Sequence, residues 1–299
     1  MTKHISLVGI GVLGKAIALR LRQCQYNISL YNRTASKAEA LTGNGVHAVS
    51  SLSQLFTHKP SIILICLTDA QATKALFCTP EIKTKLKEYE SLIVNVSTIG
   101  PQESQQMEAF FQQHGAHYVE APVSGGPEGA RTGKLACWLG PIPPAFADIL
   151  PSLISSLSYD YVVMDSNSAA QAMKVINNYC EAVHLLVAAE SILLAEKSGI
   201  SQRALQKALP LGRGRSTYME VMLNRYLQPS DLVSVPLDIR IKDLDLANAL
   251  FQERAFHSAF FDRVQHIYLN TAEALMPPQD QTACFAYLSK QSQQPEPEA

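Results

Sequence analysis

The sequence predicts an α/β protein in which a doubly wound parallel sheet comes first and an all-helical part follows. Through the first half, short apolar runs typical of strands alternate with segments of helical periodicity. From residue 199 to about residue 290 the periodicity is helical. Between the halves, residues 169–198 contain no proline or glycine, which predicts one long helix that joins them.

Composition restricts the classes of function. The chain has 299 residues, of which 47% are hydrophobic, enough for one large or two ordinary domains. Its net charge of −1 gives no electrostatic reason to expect a nucleic acid or an anionic membrane as partner. We expect no membrane span, because no uninterrupted apolar run reaches roughly 18 residues. Six scattered cysteines without a CxxC pair predict a cytoplasmic protein with no metal site.

A glycine-rich turn follows the first predicted strand. His4–Val8 has the residues of a strand, and a G-x-G-x-x-G sequence separates it from a helical segment. In this context the first glycine permits a tight turn, the second lets backbone approach a pyrophosphate, and the third lets helix pack on strand. An ordinary tight turn is the alternative. We predict a Rossmann-type dinucleotide site formed by Gly9, Ile10, Gly11, Val12, Leu13 and Gly14.

The end of the second predicted strand bears on which nicotinamide cofactor is preferred. Asn27–Tyr31 is followed by Asn32, Arg33 and Thr34. A carboxylate at this position would bind both ribose hydroxyls and favour NAD. A guanidinium beside an amide and a hydroxyl suits a 2′-phosphate instead. We therefore predict NADP(H) as the preferred cofactor, with NAD(H) as the alternative if Arg33 is only a surface charge.

Two further predicted strands end in candidate cofactor contacts. Residues 61–66 and 92–96 are largely apolar, as expected of strands covered on both faces. Ligands bind at the carboxyl ends of parallel strands, which makes Leu67, Thr68 and Thr98 candidates for contacts near the nicotinamide ribose. Each threonine could equally be the N-cap of a helix.

A segment rich in glycine and proline follows the next predicted strand, His117–Glu120. Residues 121–135 contain four glycines and two prolines, which predicts an ordered loop in which backbone can approach a ligand closely. A serine hydroxyl followed by two glycine amides can form an anion-binding nest. We predict that Ser124, Gly125 and Gly126 bind a small carboxylate substrate.

One face of the long predicted helix is polar. Lys174, Asn177, Asn178 and Glu181 fall at i, i+3, i+4 and i+7 on a helix that is otherwise apolar on most sides. These side chains either meet a solvent-filled cleft or form an active-site wall with a lysine acid/base. The helix alone does not decide between the two.

Four motifs, in order, resemble those of the β-hydroxyacid dehydrogenase family. They are the glycine-rich turn, with Leu13 where methionine is usual, the segment 121–135, Lys174 with Asn178, and residues 242–247, which are similar to a K-D-L-x-L-A motif. The resemblance covers nearly the whole chain. It implies hydride transfer between NADP(H) and a small β-hydroxy acid, semialdehyde or 2-oxo acid. It also implies Lys174 as general acid/base, Asn178 as an orienting residue, Lys242 beside the nicotinamide, and a homodimer or homotetramer packed through helices.

Departures from the family pattern bear on the substrate pocket. Ser168 and Ala170 stand where two glycines are usual, and residues 234–237 lack an aromatic that is often found there. Arg213 and Arg215 either hold a second anionic group of the substrate or are solvated loop charges.

Three alternative functions remain open at this point. They are an imine reductase on the same fold, a catalytically silent NADPH-binding module, and a 6-phosphogluconate dehydrogenase. The lysine at position 174 argues against the first two, and the short helical part argues against the third.

The predicted domain organisation has two folded parts and a tail. Residues 1–165 form the dinucleotide-binding domain, and residues 166–290 form a helical domain for substrate binding and oligomerisation. Residues 291–299 are polar and rich in proline and glutamate, which predicts disorder. The predicted helices of the second part are 201–209, 216–226, 238–254, 258–275 and 280–289.

Overall fold

A computed structural model describes residues 4–227, 233–276 and 279–293. The chain divides into two compact units, Met1–Lys174 and Val175–Ala299. The division falls inside the long helix, whereas the predicted domain boundary lies near residue 165, and that boundary stays a prediction. Most of the predicted tail, residues 294–299, lies outside the described residues.

The first unit is built on a parallel sheet. Its strands are β1 His4–Val8, β2 Asn27–Tyr31, β3 Val46–Ala48, β4 Ile62–Ile65, β5 Leu92–Asn95 and β6 His117–Glu120. Within the described residues they pair in the order β3-β2-β1-β4-β5-β6, every pair parallel. Strands β4 and β5 are buried along their whole length, which explains why their sequences are apolar or nearly so.

Helices cover both faces of this sheet. They are α1 Val12–Gln23, α2 Ala35–Glu39, α3 Ala70–Phe77, α4 Pro80–Glu88 and α5 Pro101–Gln113. Two separate hydrophobic cores result, one that includes residues of α1 and one that includes residues of α3, α4 and α5. The predicted doubly wound sheet is confirmed.

The segment 121–135 is not the loop that its glycines predicted. It contains β7 Val123–Ser124, α6 Gly126–Thr132 and the first residue of β8 Leu135–Leu139. Helix α6 forms because Pro127 fits a first helical turn and Gly133 takes the left-handed conformation that ends it.

A second, small sheet was not predicted. Strand β7 pairs antiparallel with β8, and β8 pairs parallel with β9 Ser158–Val163 after helix α7 Ile149–Leu157. Its first strand has only two residues, too short to leave a period-two pattern in the sequence.

The long predicted helix is α8, Asn167–Lys197. It begins two residues before the predicted start at residue 169. The Ser166 hydroxyl caps it by accepting a hydrogen bond from the Ala169 amide. Gly199, with φ of 73°, follows its end as predicted. By length and composition α8 would also pass as a membrane span, although half of its most apolar window is buried inside the protein. The sequence criterion missed this because it required an uninterrupted apolar run.

The second unit is helical in the residues that the structure describes. After α8 come α9 Gln202–Ala208, α10 Thr217–Leu227, α11 Leu237–Glu253, α12 Phe261–Ala274 and α13 Cys284–Gln291. The predicted helix 258–275 starts three residues late, because the Ser258 hydroxyl accepts the Phe261 amide and so acts as a cap outside the helix. The predicted helix 280–289 opens instead with a short 3₁₀ turn, Gln281–Ala283.

Candidate active site

The glycine-rich turn lies at the carboxyl end of β1, and its three glycines meet different surroundings. A Cβ at Gly9 would lie 2.1 Å from the Cys66 carbonyl oxygen, and one at Gly14 would lie 2.0 Å from the Gly9 carbonyl oxygen. Both positions therefore require glycine for packing. A Cβ at Gly11 would meet nothing within 4 Å. The second glycine thus borders open space, where a pyrophosphate can approach the backbone.

The three apolar residues of this turn are placed differently. Ile10 is buried, Val12 is about half exposed, and Leu13 is partly buried against the hydrophobic core that includes residues of α1. Gly11 is the N-cap of α1 and makes no side-chain capping bond. No side chain of Gly11 therefore competes for the amide groups in the first turn of α1. These amide groups can donate hydrogen bonds to phosphates and supply a positive potential.

Asn32 connects two turns at the edge of the sheet. Its Oδ1 accepts a hydrogen bond from the Ile10 amide at 2.8 Å, and its Nδ2 donates to the Thr34 carbonyl oxygen at 2.9 Å. Asn32 therefore ties the glycine-rich turn to the turn after β2. Arg33 and Thr34 are exposed beside it. Asn32, Arg33 and Thr34 all remain candidates for contacts with the adenosine ribose and its 2′-phosphate.

Thr68 and Thr98 follow neighbouring strands of the sheet, β4 and β5. Neither is the helix N-cap that was the alternative, because Asp69 caps α3 and Gly100 precedes α5. The Leu67 amide donates to the Ser97 hydroxyl at 2.9 Å, which links the two turns. Since β1, β4 and β5 are adjacent and parallel, the glycine-rich turn and both threonines lie at one edge of the sheet. This edge is where a dinucleotide binds in such sheets.

The predicted carboxylate site lies just past β6, the next strand of the same sheet. Ser124 ends β7, and Gly125 and Gly126 both have positive φ, 125° and 62°. Residues with side chains rarely adopt such values, so the backbone turns sharply here and leads directly into α6. A turn of this kind can direct amide groups at an anion.

Lys174 lies in the buried first part of α8. Helix geometry places Asn178 one turn further along the same helix. Both side chains are buried.

Asn178 and Lys242 share a partner in the second unit. The Asn178 Nδ2 donates to the Asp243 carboxylate at 2.6 Å, and the Lys242 ammonium lies 3.0 Å from the other oxygen of that carboxylate. Asp243 thus links two residues that the sequence predicted separately.

A buried arginine fixes the backbone of the same turn of α8. The Arg240 guanidinium donates to the Asn178 carbonyl oxygen at 2.7 Å and pairs with the Glu181 carboxylate at 2.8 Å. Although burial disfavours its charged form, the charge of Glu181 raises the pKa of Arg240 above its usual value. Arg240 therefore stays charged and holds α11 against α8.

Sequence reasoning missed the polar groups at the carboxyl ends of β5 and β6. Asn95 and Glu120 are the last residues of these strands, and both are buried. Burial raises the pKa of the Glu120 carboxyl to about 7, although hydrogen bonds from Tyr118 and Gln171 oppose the rise. The sequence did contain a signal for this cluster, namely a glutamate at the end of a predicted strand. Burying a carboxyl group is costly unless it has hydrogen-bond partners. Arg213 and Arg215, by contrast, are exposed in a turn before α10.

Two family profiles match the chain. The NAD-binding domain of 6-phosphogluconate dehydrogenase matches residues 4–163, more than half of the chain. The NAD-binding domain of NADP-dependent 3-hydroxyisobutyrate dehydrogenase matches residues 168–288. The chain belongs to the β-hydroxyacid dehydrogenase family. Its members act on CH–OH groups with a nicotinamide cofactor, so the predicted enzyme class and cofactor class are confirmed.

Individual relatives agree with this assignment. The 2-(hydroxymethyl)glutarate dehydrogenase of Eubacterium barkeri is 26% identical over 81% of this chain and 80% of its own length. The 2-hydroxy-3-oxopropionate reductase of Escherichia coli is 26% identical over 81% of this chain and 82% of its own.

Solved structures give the same fold. Psf3, in complex with NADP⁺ and 2-OPP, superposes with a TM-score of 0.86 at 28% identity, over 95% of this chain and 100% of its own. An imine reductase from Myxococcus stipitatus superposes with a TM-score of 0.59 at 17% identity, over 96% and 100% of the chains. The second similarity shows a common fold only.

Proposed function

We propose that this β-hydroxyacid dehydrogenase is an NADP(H)-dependent oxidoreductase acting on a small β-hydroxy acid, semialdehyde or 2-oxo acid, with Lys174 as general acid/base. The observation that carries the proposal is a buried lysine one helical turn before a buried asparagine, in a chain whose first unit has the dinucleotide-binding sheet edge. Lysine is rarely buried, because burial disfavours its charged form, so a buried lysine at this position supports a chemical role.

The cofactor fits the residues at the edge of the sheet. Gly11 leaves space for the pyrophosphate, and the amino end of α1 faces that space with amide donors. The exposed guanidinium of Arg33 beside the hydroxyl of Thr34 supports NADP(H) over NAD(H). Leu67, Thr68 and Thr98 would contact the nicotinamide half, and Lys242 would lie near the nicotinamide. When bound, the cofactor supplies or accepts the hydride.

The protein's own residues bind the acid and move a proton. Ser124, Gly125 and Gly126 would hold the substrate carboxylate through the hydroxyl and backbone amides of their turn. In reduction, the Lys174 Nζ donates a proton to the carbonyl oxygen as the carbonyl carbon gains hydride. In oxidation, the neutral Nζ takes the proton from the hydroxyl as the carbon loses hydride. Asn178 would orient Lys174 or that hydroxyl.

We further propose a homodimer or homotetramer that works in the cytoplasm. An apolar stripe supports oligomerisation through α8, since Ile176, Val187 and Leu194 are 46%, 52% and 66% exposed and lie on one helix face. All six cysteines are free thiols, as suits a reducing compartment.

The test is a panel of small acids assayed with purified protein. Consumption of NADPH, and in parallel of NADH, is followed with glyoxylate, succinic semialdehyde, tartronate semialdehyde and methylmalonate semialdehyde. The proposal predicts turnover of at least one of them, faster with NADPH. A protein that binds NADPH and turns over none of the four would contradict the substrate class and revive the silent binding module.

An imine reductase is the second candidate, because the fold is shared with such an enzyme. The buried lysine at position 174 argues against it, because imine reductases usually carry another residue there. Adding a cyclic imine to the panel separates the two, since only an imine reductase consumes NADPH with the imine and not with the oxo acids.

A further inference from the structure

A cluster of buried polar side chains in the first unit surrounds Glu120. Glu120 is fully buried at the end of β6. Its Oε2 accepts hydrogen bonds from Asn95 Nδ2 at 2.9 Å and from Gln171 Nε2 at 2.7 Å. Its Oε1 accepts the Tyr118 hydroxyl at 2.6 Å. Each oxygen of the carboxylate is therefore satisfied, which compensates for its burial.

Gln171 connects this carboxylate to the turn after β5. Its Nε2 also donates to the Ser97 carbonyl oxygen at 2.8 Å. Its Oε1 accepts the amides of Ile99 and Gly100 at 3.0 and 3.2 Å. The side chain thus has two donor contacts and two acceptor contacts, all with the sheet edge. These bonds hold the residues on either side of Thr98, the threonine that we place against the cofactor.

A second contact fixes the same part of α8. The Asn167 Oδ1 accepts the Glu120 amide at 2.8 Å, and its Nδ2 lies 3.3 Å from the Tyr118 carbonyl oxygen. Asn167 and Gln171 lie one turn apart at the start of α8, and Lys174 follows Gln171 by three residues. The start of the helix is therefore tied to the sheet at two successive turns.

We propose that Glu120 and Gln171 form a positioning pair that sets Lys174 and the Thr98 turn in one fixed arrangement for hydride transfer. The proposal rests on the proposed catalytic role of Lys174. Both residues of the pair are fully buried, and we place neither in contact with substrate or cofactor. The pair acts because a catalytic group displaced by about 1 Å can lose roughly 100-fold in rate.

Four variants, one of them a control, separate positioning from folding. Gln171→Leu and Glu120→Leu both break the connection between the helix and the sheet. Glu120→Gln keeps an acceptor oxygen for Asn95 and Gln171 and places its amide towards the Tyr118 hydroxyl, which can turn to accept. Tyr118→Phe is the matched control, because it removes a hydrogen bond to Glu120 that does not involve α8.

The first measurement is kcat and KM with the substrate found in the panel. We expect Gln171→Leu and Glu120→Leu each to lower kcat roughly 10- to 100-fold, and the double variant to lose no more than either alone, because both break one connection. Glu120→Gln and Tyr118→Phe should keep kcat within about threefold. Losses that multiply in the double variant, or equal losses in Tyr118→Phe, would overturn the proposal.

The second measurement does not need turnover. Hydrogen exchange of the amides of residues 97–100 and 167–174 should accelerate together in Gln171→Leu and stay slow in Tyr118→Phe. Unchanged exchange in Gln171→Leu overturns the positioning pair even if the enzyme is active. An inactive wild-type protein whose Gln171→Leu variant shows the joint acceleration overturns the proposed function and leaves the pair standing.

Discussion

Asn178 donates its side-chain amide to the Asp243 carboxylate at 2.6 Å, and this bond fixes which way the amide faces. The Oδ1 at the other end accepts the Asn177 amide at 3.2 Å. Because an asparagine amide can otherwise flip, the charged acceptor on α11 determines the orientation of a residue that we place in the active site. Asp243 also pairs with Lys242, so one carboxylate organises both residues.

Asp243→Asn should therefore lower activity without unfolding the protein. A hydrogen bond to a charged group contributes about 1.5–3 kcal/mol, which corresponds to roughly a 10- to 100-fold loss of kcat if it acts in the transition state. Asp245→Asn is the matched control, because Asp245 lies on the same helix, is exposed and accepts a hydrogen bond from the Gln265 side-chain amide. Steady-state kinetics check this, and equal effects of the two variants would contradict it.

Arg33→Ala should weaken NADPH binding and leave NADH binding nearly unchanged. The guanidinium is exposed beside Thr34, where it can bind a 2′-phosphate that NADH lacks. We expect the Kd for NADPH to rise roughly 10- to 100-fold, the equivalent of one charge-assisted contact. Fluorescence titration with both cofactors measures this. Arg22→Ala, an exposed arginine on α1, is the control, and a parallel loss for NADH in Arg33→Ala would refute the assignment.

Glu120 should make the folding stability depend on pH. Its pKa is raised from 4.5 to about 7 in the folded protein by burial. Between these values the folded carboxyl holds a proton that the unfolded chain has released, so its contribution to stability is complete below pH 4.5 and is lost as the pH rises through 7. The loss approaches about 1.4 kcal/mol per pH unit within that window. Glu120→Gln cannot titrate, so we expect the stability of wild type relative to this variant to fall from pH 4.5 to 7 in urea unfolding. A constant difference would contradict the raised pKa.

The exposed apolar stripe of α8 should mediate association. Val187→Glu places a charge in the middle of the stripe formed with Ile176 and Leu194. Burying an unpaired charge in an interface is strongly unfavourable, so we expect the variant to elute as a smaller species than wild type. Light scattering after size-exclusion chromatography measures the mass. The control is Glu39→Gln, an exposed position on α2 and so away from the stripe. Wild-type protein that is already monomeric would contradict the proposal.

The sheet and the helical second part could be predicted because their signals are local. The apolar runs of β4 and β5 follow from burial on both faces, and the glycine-rich turn follows from backbone geometry. The small sheet could not be predicted in the same way. Strand β7 has two residues and pairs with a strand eleven positions on, so nothing local marks it. The helix α6 was hidden by glycines that elsewhere favour loops.

The site was predictable only in part for the same reason. Lys174 and Asn178 are marked by their helical spacing and by resemblance to a family. Glu120 and Gln171 are 51 positions apart, and their hydrogen bond depends on the tertiary fold. The hydrogen bonds of Asn32 to backbone groups of two turns could not be predicted either, because they too depend on the tertiary fold.

The central claim is that Lys174 supplies and accepts the proton of hydride transfer. The most direct test is the single-turnover rate of NADPH oxidation in Lys174→Ala, with the NADPH Kd measured on the same protein and Lys197→Ala, an exposed lysine of the same helix, as control. We predict a rate reduced roughly 100- to 10,000-fold with a nearly unchanged Kd, as expected when a general acid is removed. A rate close to that of wild type, or a loss explained by weaker cofactor binding, would contradict the claim.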